Sequence, residues 1–380
     1  GWTHTHNAPT VWPWLTQDPD FEYLDFVGEK VEAIAAAAAK SLRPCRLKVG
    51  HVDAPEISFN RRPLYSQPDG RLQAGTHGPI DGPGFARMEG PDETDLFVLH
   101  AIGADGATIG GIVNFAMHPT CTYSVSLFSA DYPGSLRETI EQRHGGTWIY
   151  MNGAAGNLSP GPFIPGRPDA PRTEFAEYVG RNLAEHALRA LGQTVAVVDS
   201  GLAVLSEIVP IPQRKLSSAM VETSRQYLDT MARKEQWTGV LPSQLYGYAY
   251  HFHHKSPLVD DWLARDIIGM WEWRRRVGAR DMAEDVPIQA FRLGDIGLAT
   301  FPCELFNELA HELRADSPFK HTFIVQMANG WHGYIPPATA FEHGGYECCF
   351  ALQSRLIPDA GRKMISIAKR LLGSLATANT

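Results

Sequence analysis

The sequence lacks any apolar run approaching the roughly 18–20 residues needed to cross a bilayer, so no membrane-spanning helix is expected. It also lacks a basic stripe. Lys and Arg number 34 against 42 Asp and Glu, for a net charge of −8. The densest cationic runs are Arg61-Arg62 and Arg274-Arg275-Arg276, too short to track a phosphate backbone, and nucleic acid is excluded as an expected partner. The second run reads as a solvated helix face. Cysteine is scarce: five residues, an odd number, with Cys348 and Cys349 adjacent and no CxxC pair. That is neither a disulfide framework nor a thiolate zinc site. The opening Gly1-Trp2-Thr3-His4 has no signal-peptide pattern and is not expected to be a natural start. A soluble chain is expected, with secreted, periplasmic and cytoplasmic locations all open. No internal repeat is present, and oligomeric state is not legible.

What is there is ordinary globular composition, 44% hydrophobic and 20% charged, on 380 residues. Helices are predicted over 21–42, 174–191, 215–235, 258–277 and 361–375, the first from its polyalanine run at 35–39. Strands are predicted over 46–52, 96–102, 108–117, 148–150, one or two within 195–209, and 322–327. A hairpin turning at Gly294-Asp295 is predicted over 286–301. The Gly-, Pro- and Asp-rich stretch 63–94 reads as one long irregular loop. Helices and strands interleave without a strict βαβ rhythm, which predicts an α/β (α+β mixed) fold: mixed sheets flanked by helices.

The chemistry-bearing residues fall at element ends. His4 and His6 stand two apart, so in an extended segment both imidazoles would face one site. His118 closes the β-rich run 112–117 and is followed by Pro119. Ser129 to Gly134 reads as a helix cap and turn. Small residues follow the strand at 148–150 in Met151-Asn152-Gly153-Ala154-Ala155-Gly156-Asn157-Leu158-Ser159-Pro160, where backbone amides can approach a ligand closely. Glu304 stands where a strand meets a helix, and Gly333-Tyr334-Ile335 follows another strand. Two histidines and one carboxylate make an N/N/O set typical of catalytic zinc, which keeps a position open for water. Trp237, Tyr246, Tyr248, Tyr250, Phe252 and Trp262 are candidates for an acyl or aromatic pocket, with core packing the plainer reading.

These motifs, taken in order, resemble the neutral/alkaline (non-lysosomal) ceramidase family. The series runs Thr-His-Thr-His at 3–6, Asn-Arg-Arg at 60–62 and Asn-Phe-Ala-Met-His-Pro-Thr at 114–120. It continues with Ser-x-Asp-x-x-Gly at 129–134, Gly-Asn-Leu-Ser-Pro at 156–160, Pro-x-Glu at 302–304, Gly-Tyr-Ile at 333–335 and Tyr346-Glu347. The resemblance implies a single zinc-hydrolase catalytic domain over 1–380, a short form without the family's opening segment or its C-terminal β-sandwich. It implies Zn2+ held by His4, His118, Glu304 and Tyr334. His6, Arg61, Ser159 and Tyr346 would surround the scissile amide of an N-acyl substrate, with a ceramide-like lipid as default. His6 is then the proton shuttle, Arg61 and Tyr346 stabilise the oxyanion, and Ser159 orients substrate or water. Asn157 stands where the family pattern has Asp, one carboxylate fewer. An ester, lactone or small-amide substrate remains an alternative, as does a metal-stabilised binding protein without turnover.

Overall fold

The computed structural model describes residues 1–11, 19–123, 125–161, 171–198, 201–246, 257–276 and 282–377. Helix α1 (Phe21–Lys40), capped by the Asp20 carboxylate, lies on the surface with none of its residues buried. Strands β1 (Cys45–Asn60), β2 (Pro63–Ser66), β3 (Leu72–Ala74), β4 (Phe85–Met88), β5 (Glu93–Gly103) and β6 (Thr108–Phe115) follow. Next come α2 (Asp131–His144), β7 (Thr147–Asn152), β8 (Leu158–Pro160), α3 (Arg172–Gly192), β9 (Val195–Ala196) and β10 (Leu202–Pro212). The helices α4 (Ser218–Ala232), α5 (Pro242–Leu245) and α6 (Pro257–Arg276) then precede β11 (Ala283–Leu293), β12 (Ile296–Thr300) and β13 (Glu304–Leu305). The chain closes with α7 (Asn307–Ala315), β14 (His321–Val325), β15 (Tyr334–Ile335), α8 (Ala340–His343) and α9 (Ala360–Thr377).

The layers follow from which faces are apolar. One sheet runs β7-β6-β5-β1-β8, with β9 paired to β1, and a second runs β10-β11-β12-β14. Helices α2 and α3 bury Tyr132, Leu136, Ile140, Phe175, Val179 and Leu183 against Leu96, Val98, Val113 and Phe115 of the first sheet. Helix α9 does the same for the second, laying Met364, Ile365, Ala368 and Leu372 on Val286, Ile288 and Ala290. Val49, Phe97, Ile296 and Phe323 join the sheets to each other. The result is a helix–sheet–sheet–helix stack, the mixed sheets flanked by helices that the sequence predicts.

Three differences from the sequence reading have physical causes. The stretch 63–94 is irregular over most of its length but carries a small three-stranded sheet, β3-β2-β4, whose strands of three or four residues are too short to show a period of two. Strand β1 runs far past residue 52, because after the irregular register between Asp53 and Ser58 it meets β5 again at Ser58–Glu93 and pairs β8 over Ser58–Asn60. Arg274 is buried rather than solvated: its guanidinium donates to Gln213 Oε1 at 2.6 Å and to the Arg214 carbonyl at 3.1 Å. Arg275 and Arg276 are exposed, as expected. Helix α2 extends what sequence reads as a cap and turn at 129–134. Trp262 and Trp271 pack into the α4–α6 cluster with Tyr246, while Trp273 is largely exposed. Tyr248, Tyr250 and Phe252 lie outside the described residues.

Candidate metal centre and active site

Strand ends assemble the site. The parallel pair β13–β15 sets Glu304 directly opposite Tyr334, although 30 positions separate them in sequence. Strand β6 ends at Phe115 beside Asn152 of β7, delivering His118 to the same edge. Strand β1 pairs β8 with Phe59 opposite Ser159, so Arg61 leaves the strand next to the 153–157 turn. Two glycines are required by close approach. A Cβ on Gly156 would meet the Glu304 carbonyl at 2.5 Å, and one on Gly333, already at φ +79°, would meet the Gln353 carbonyl at 2.4 Å.

The segment bearing His4 and His6 is not the extended strand expected from the His-x-His spacing. His4 has φ +72°, the left-handed region that costs a side-chain-bearing residue about 1–3 kcal/mol. Surrounding hydrogen bonds hold it there. Trp2 N–H donates to the Met327 carbonyl, Asn152 donates to Thr3 O, Thr5 Oγ1 to Ser129 O, and Asn7 Nδ2 to Val125 O and Leu127 O. Local strain, not pleat alternation, brings the two rings to 5.1 Å.

Three donor atoms converge. His4 Nε2, His118 Nε2 and Glu304 Oε2 lie 3.2 Å from one another along all three edges. A tetrahedral zinc with bonds of ~2.0–2.1 Å holds its ligand atoms ~3.3 Å apart, so this triangle has the size of a zinc face. His118 is fully buried, and its Nδ1–H donates to the Ala155 carbonyl at 2.5 Å, which fixes the tautomer with Nε2 free to ligate. Burial, with Arg61 nearby, lowers its pKa to about 4, keeping the ring neutral. Burial alone would raise the Glu304 carboxyl, but the His4 and His118 rings outweigh it and hold the group ionised. The three histidines His4, His6 and His118 also bring ring nitrogens within 4.8 Å of one another, so His6 borders the same point.

Tyr334 stacks on His118, with ring centroids 6.3 Å apart and planes at 21°. Arg61 Nη2 donates to its hydroxyl at 3.2 Å and to the Gly156 carbonyl at 2.9 Å. Burial and the Glu304 carboxylate push the Tyr334 phenol well above its ordinary pKa in the absence of a cation. Tyr346 meets Tyr334 edge to face at 5.5 Å and faces Trp262 of α6 at 6.0 Å. His6 keeps solvent-accessible surface, yet the atoms around its ring desolvate it, and with His4 and His118 they lower its pKa well below the usual imidazole value. The structure therefore gathers His4, His6, His118, Glu304, Arg61, Tyr334 and Tyr346. Ser159 is buried on β8, opposite Phe59 of β1.

Two neighbours were not assigned roles by sequence. Glu347 is fully buried between two arginines: Oε1 accepts from Arg61 Nε at 2.8 Å and Oε2 from Arg62 Nη1 at 2.5 Å. Burial opposes ionisation there, but both guanidinium groups bring its pKa down to about 2. The signal was present in the consecutive Arg61-Arg62 beside a Tyr346-Glu347 pair. Trp331 donates its indole N–H to Glu304 Oε1 at 2.8 Å, a contact no local pattern announces. Asn157 turns away from the site: Oδ1 accepts from Asn307 N–H at the start of α7, and Nδ2 donates to Glu308 at 2.7 Å.

No family model matches the chain, and no curated protein does. Solved structures do. A neutral ceramidase from Pseudomonas aeruginosa superposes with a TM-score of 0.58 at 19% identity over 91% of this chain. The fold is that of the neutral ceramidases. A ceramidase complexed with C2 gives 0.56 at 19% identity over 89% of this chain. The chain spans about half the length of each, 54% and 55%. Among the described residues no helix is long and apolar enough to cross a membrane.

Proposed function

We propose that this chain is a zinc-dependent hydrolase of an N-acyl amide bond, with a ceramide-like lipid as the leading substrate. The observation that carries the reading is the 3.2 Å triangle of His4, His118 and Glu304 with Tyr334 and Arg61 against it. His4, His118, Glu304 and Tyr334 would hold the metal. Bound there, zinc supplies Lewis acidity, lowers the pKa of water towards 7 and favours the phenolate of Tyr334. Structural zinc sites are closed by Cys and His, whereas this donor set contains no Cys, includes a carboxylate and a phenol, and has further polar groups, His6, Arg61 and Tyr346, beside it.

The remaining roles belong to the protein. Arg61 is held on Glu347, Gly156 and Tyr334, so its charge is fixed before substrate arrives. It stabilises negative charge growing on the amide oxygen, and Tyr346 donates a hydrogen bond to the same oxygen. His6, neutral at pH 7 because its pKa is depressed, accepts the proton of the attacking water. The resulting imidazolium returns that proton to the departing nitrogen, which leaves as a neutral amine. Ser159 orients substrate or water.

The test is hydrolysis by zinc-loaded protein of a fluorogenic short-chain ceramide beside a simple N-acyl amide and an acyl ester. Cleavage of the ceramide is the expected result. Cleavage of the simple amide alone would keep the chemistry and remove the lipid; cleavage of the ester alone would remove the amidase reading.

A further inference from the structure

A carboxylate ligand can offer a cation one oxygen or two, and the choice decides whether a coordination position remains for water. Glu304 Oε2 lies 3.2 Å from both imidazole nitrogens, while Oε1 accepts the Trp331 indole N–H at 2.8 Å. We propose that Trp331 is a positioning residue: its N–H occupies Oε1 and commits Glu304 to the metal through Oε2 alone. The inference rests on the metal-site reading above and concerns how that site is kept open.

The choice of side chain matters. An indole N–H donates and cannot accept, so it has one polarity and cannot itself ligate a cation. Ser, Asn or Gln could reverse its role and compete for the metal. Trp331 is also held from behind. Arg355 lies 5.3 Å over its ring and donates to its carbonyl at 3.2 Å. Arg355 is in turn fixed by a two-pronged pair with Glu284, at 2.5 and 2.7 Å, and Glu284 Oε2 also takes His332 Nδ1 at 2.5 Å. The backbone of the same tripeptide grips β13: His332 N–H donates to Pro302 O at 2.7 Å, and Glu304 N–H donates to Gly333 O at 2.9 Å. Residues 331–333 therefore hold Glu304 by main chain and side chain together. Without the indole, Oε1 is free to swing toward the cation, adding a ligand where substrate or water should sit.

The experiment measures zinc affinity by competition with a chromophoric chelator for wild type, Trp331→Phe and Arg355→Met. The visible spectra of the cobalt-substituted proteins and thermal melting of the metal-free forms accompany it. Trp331→Phe keeps an aromatic ring and loses the N–H. It is expected to bind zinc about 10–100-fold more weakly, with unchanged apo melting. Its cobalt bands should weaken as coordination number rises. Wild-type affinity and an unaltered cobalt spectrum in Trp331→Phe would overturn the proposal. If Trp331→Phe does not fold, Arg355→Met answers: affinity lowered in the same direction supports the brace, and unchanged affinity refutes it. Absence of zinc binding in wild type as well as His118→Ala would remove the metal site itself, an outcome distinct from a failure confined to Trp331.

Discussion

Replacing Glu347 by Gln removes one negative charge and almost no volume from between two buried guanidinium groups. Arg62 keeps a second carboxylate, Glu89, whereas Arg61 keeps the Gly156 carbonyl, the Tyr334 hydroxyl and, without a hydrogen bond, the Glu304 charge. The cost can be reached in two ways. Removing one partner of a buried ion pair costs about 3–5 kcal/mol. The carboxyl falls from an ordinary 4.5 to about 2 on folding, which at about 1.36 kcal/mol per pH unit is roughly 3 kcal/mol. The sign follows from linkage: a depressed folded pKa gives stability that is complete above about 4.5 and lost as pH falls toward 2. Urea unfolding should therefore show Glu347→Gln about 3 kcal/mol less stable at pH 7, with the gap to wild type narrowing below pH 4.5. Adding Arg61→Met should remove much of the loss, because no unpaired cation then remains. Since Arg61 is the displaced group, kcat/KM should fall on the order of 100-fold even where the variant is folded. A pH-independent difference, or one under about 0.5 kcal/mol, would refute the reasoning.

The other expectations are simpler. His118→Ala should lose zinc in equilibrium dialysis, while His6→Ala should keep it and lose about 10²–10⁴-fold in turnover; full activity in the second would end the proton-shuttle role. Gly156→Ala pushes a methyl to 2.5 Å from the Glu304 carbonyl and should weaken zinc binding measurably, with chelator competition as the check. Asn157→Asp exchanges a donor for a second carboxylate facing Glu308. Burial already raises the Glu308 pKa. The variant should melt lower, more so at pH 8 than at pH 5, and Glu308→Gln should restore it.

Legibility divided along the range of interactions. Helices α3 and α9 were readable because their apolar periodicity runs over about five turns, and the hairpin of β11 and β12 because Gly294 marks its turn with φ +60°. The candidate site residues were legible as ordered motifs. Their assembly was not, since the register of Glu304 opposite Tyr334 is a long-range pairing that no local pattern encodes. Local signals misled where tertiary contacts overrode them. The His-x-His spacing suggested a strand where hydrogen bonds impose a left-handed His4, and the Arg274–Arg276 run suggested solvent where Gln213 draws Arg274 inside. The Asp-to-Asn change at 157, read as a missing site carboxylate, instead belongs to a contact with helix α7.

Elemental analysis of protein purified without chelators tests the central claim most directly, with His118→Ala measured in parallel. The account predicts one zinc per wild-type chain and none in the variant. Wild-type protein free of zinc and unable to take it up, or a variant that retains it, would contradict the site on which the proposed chemistry depends.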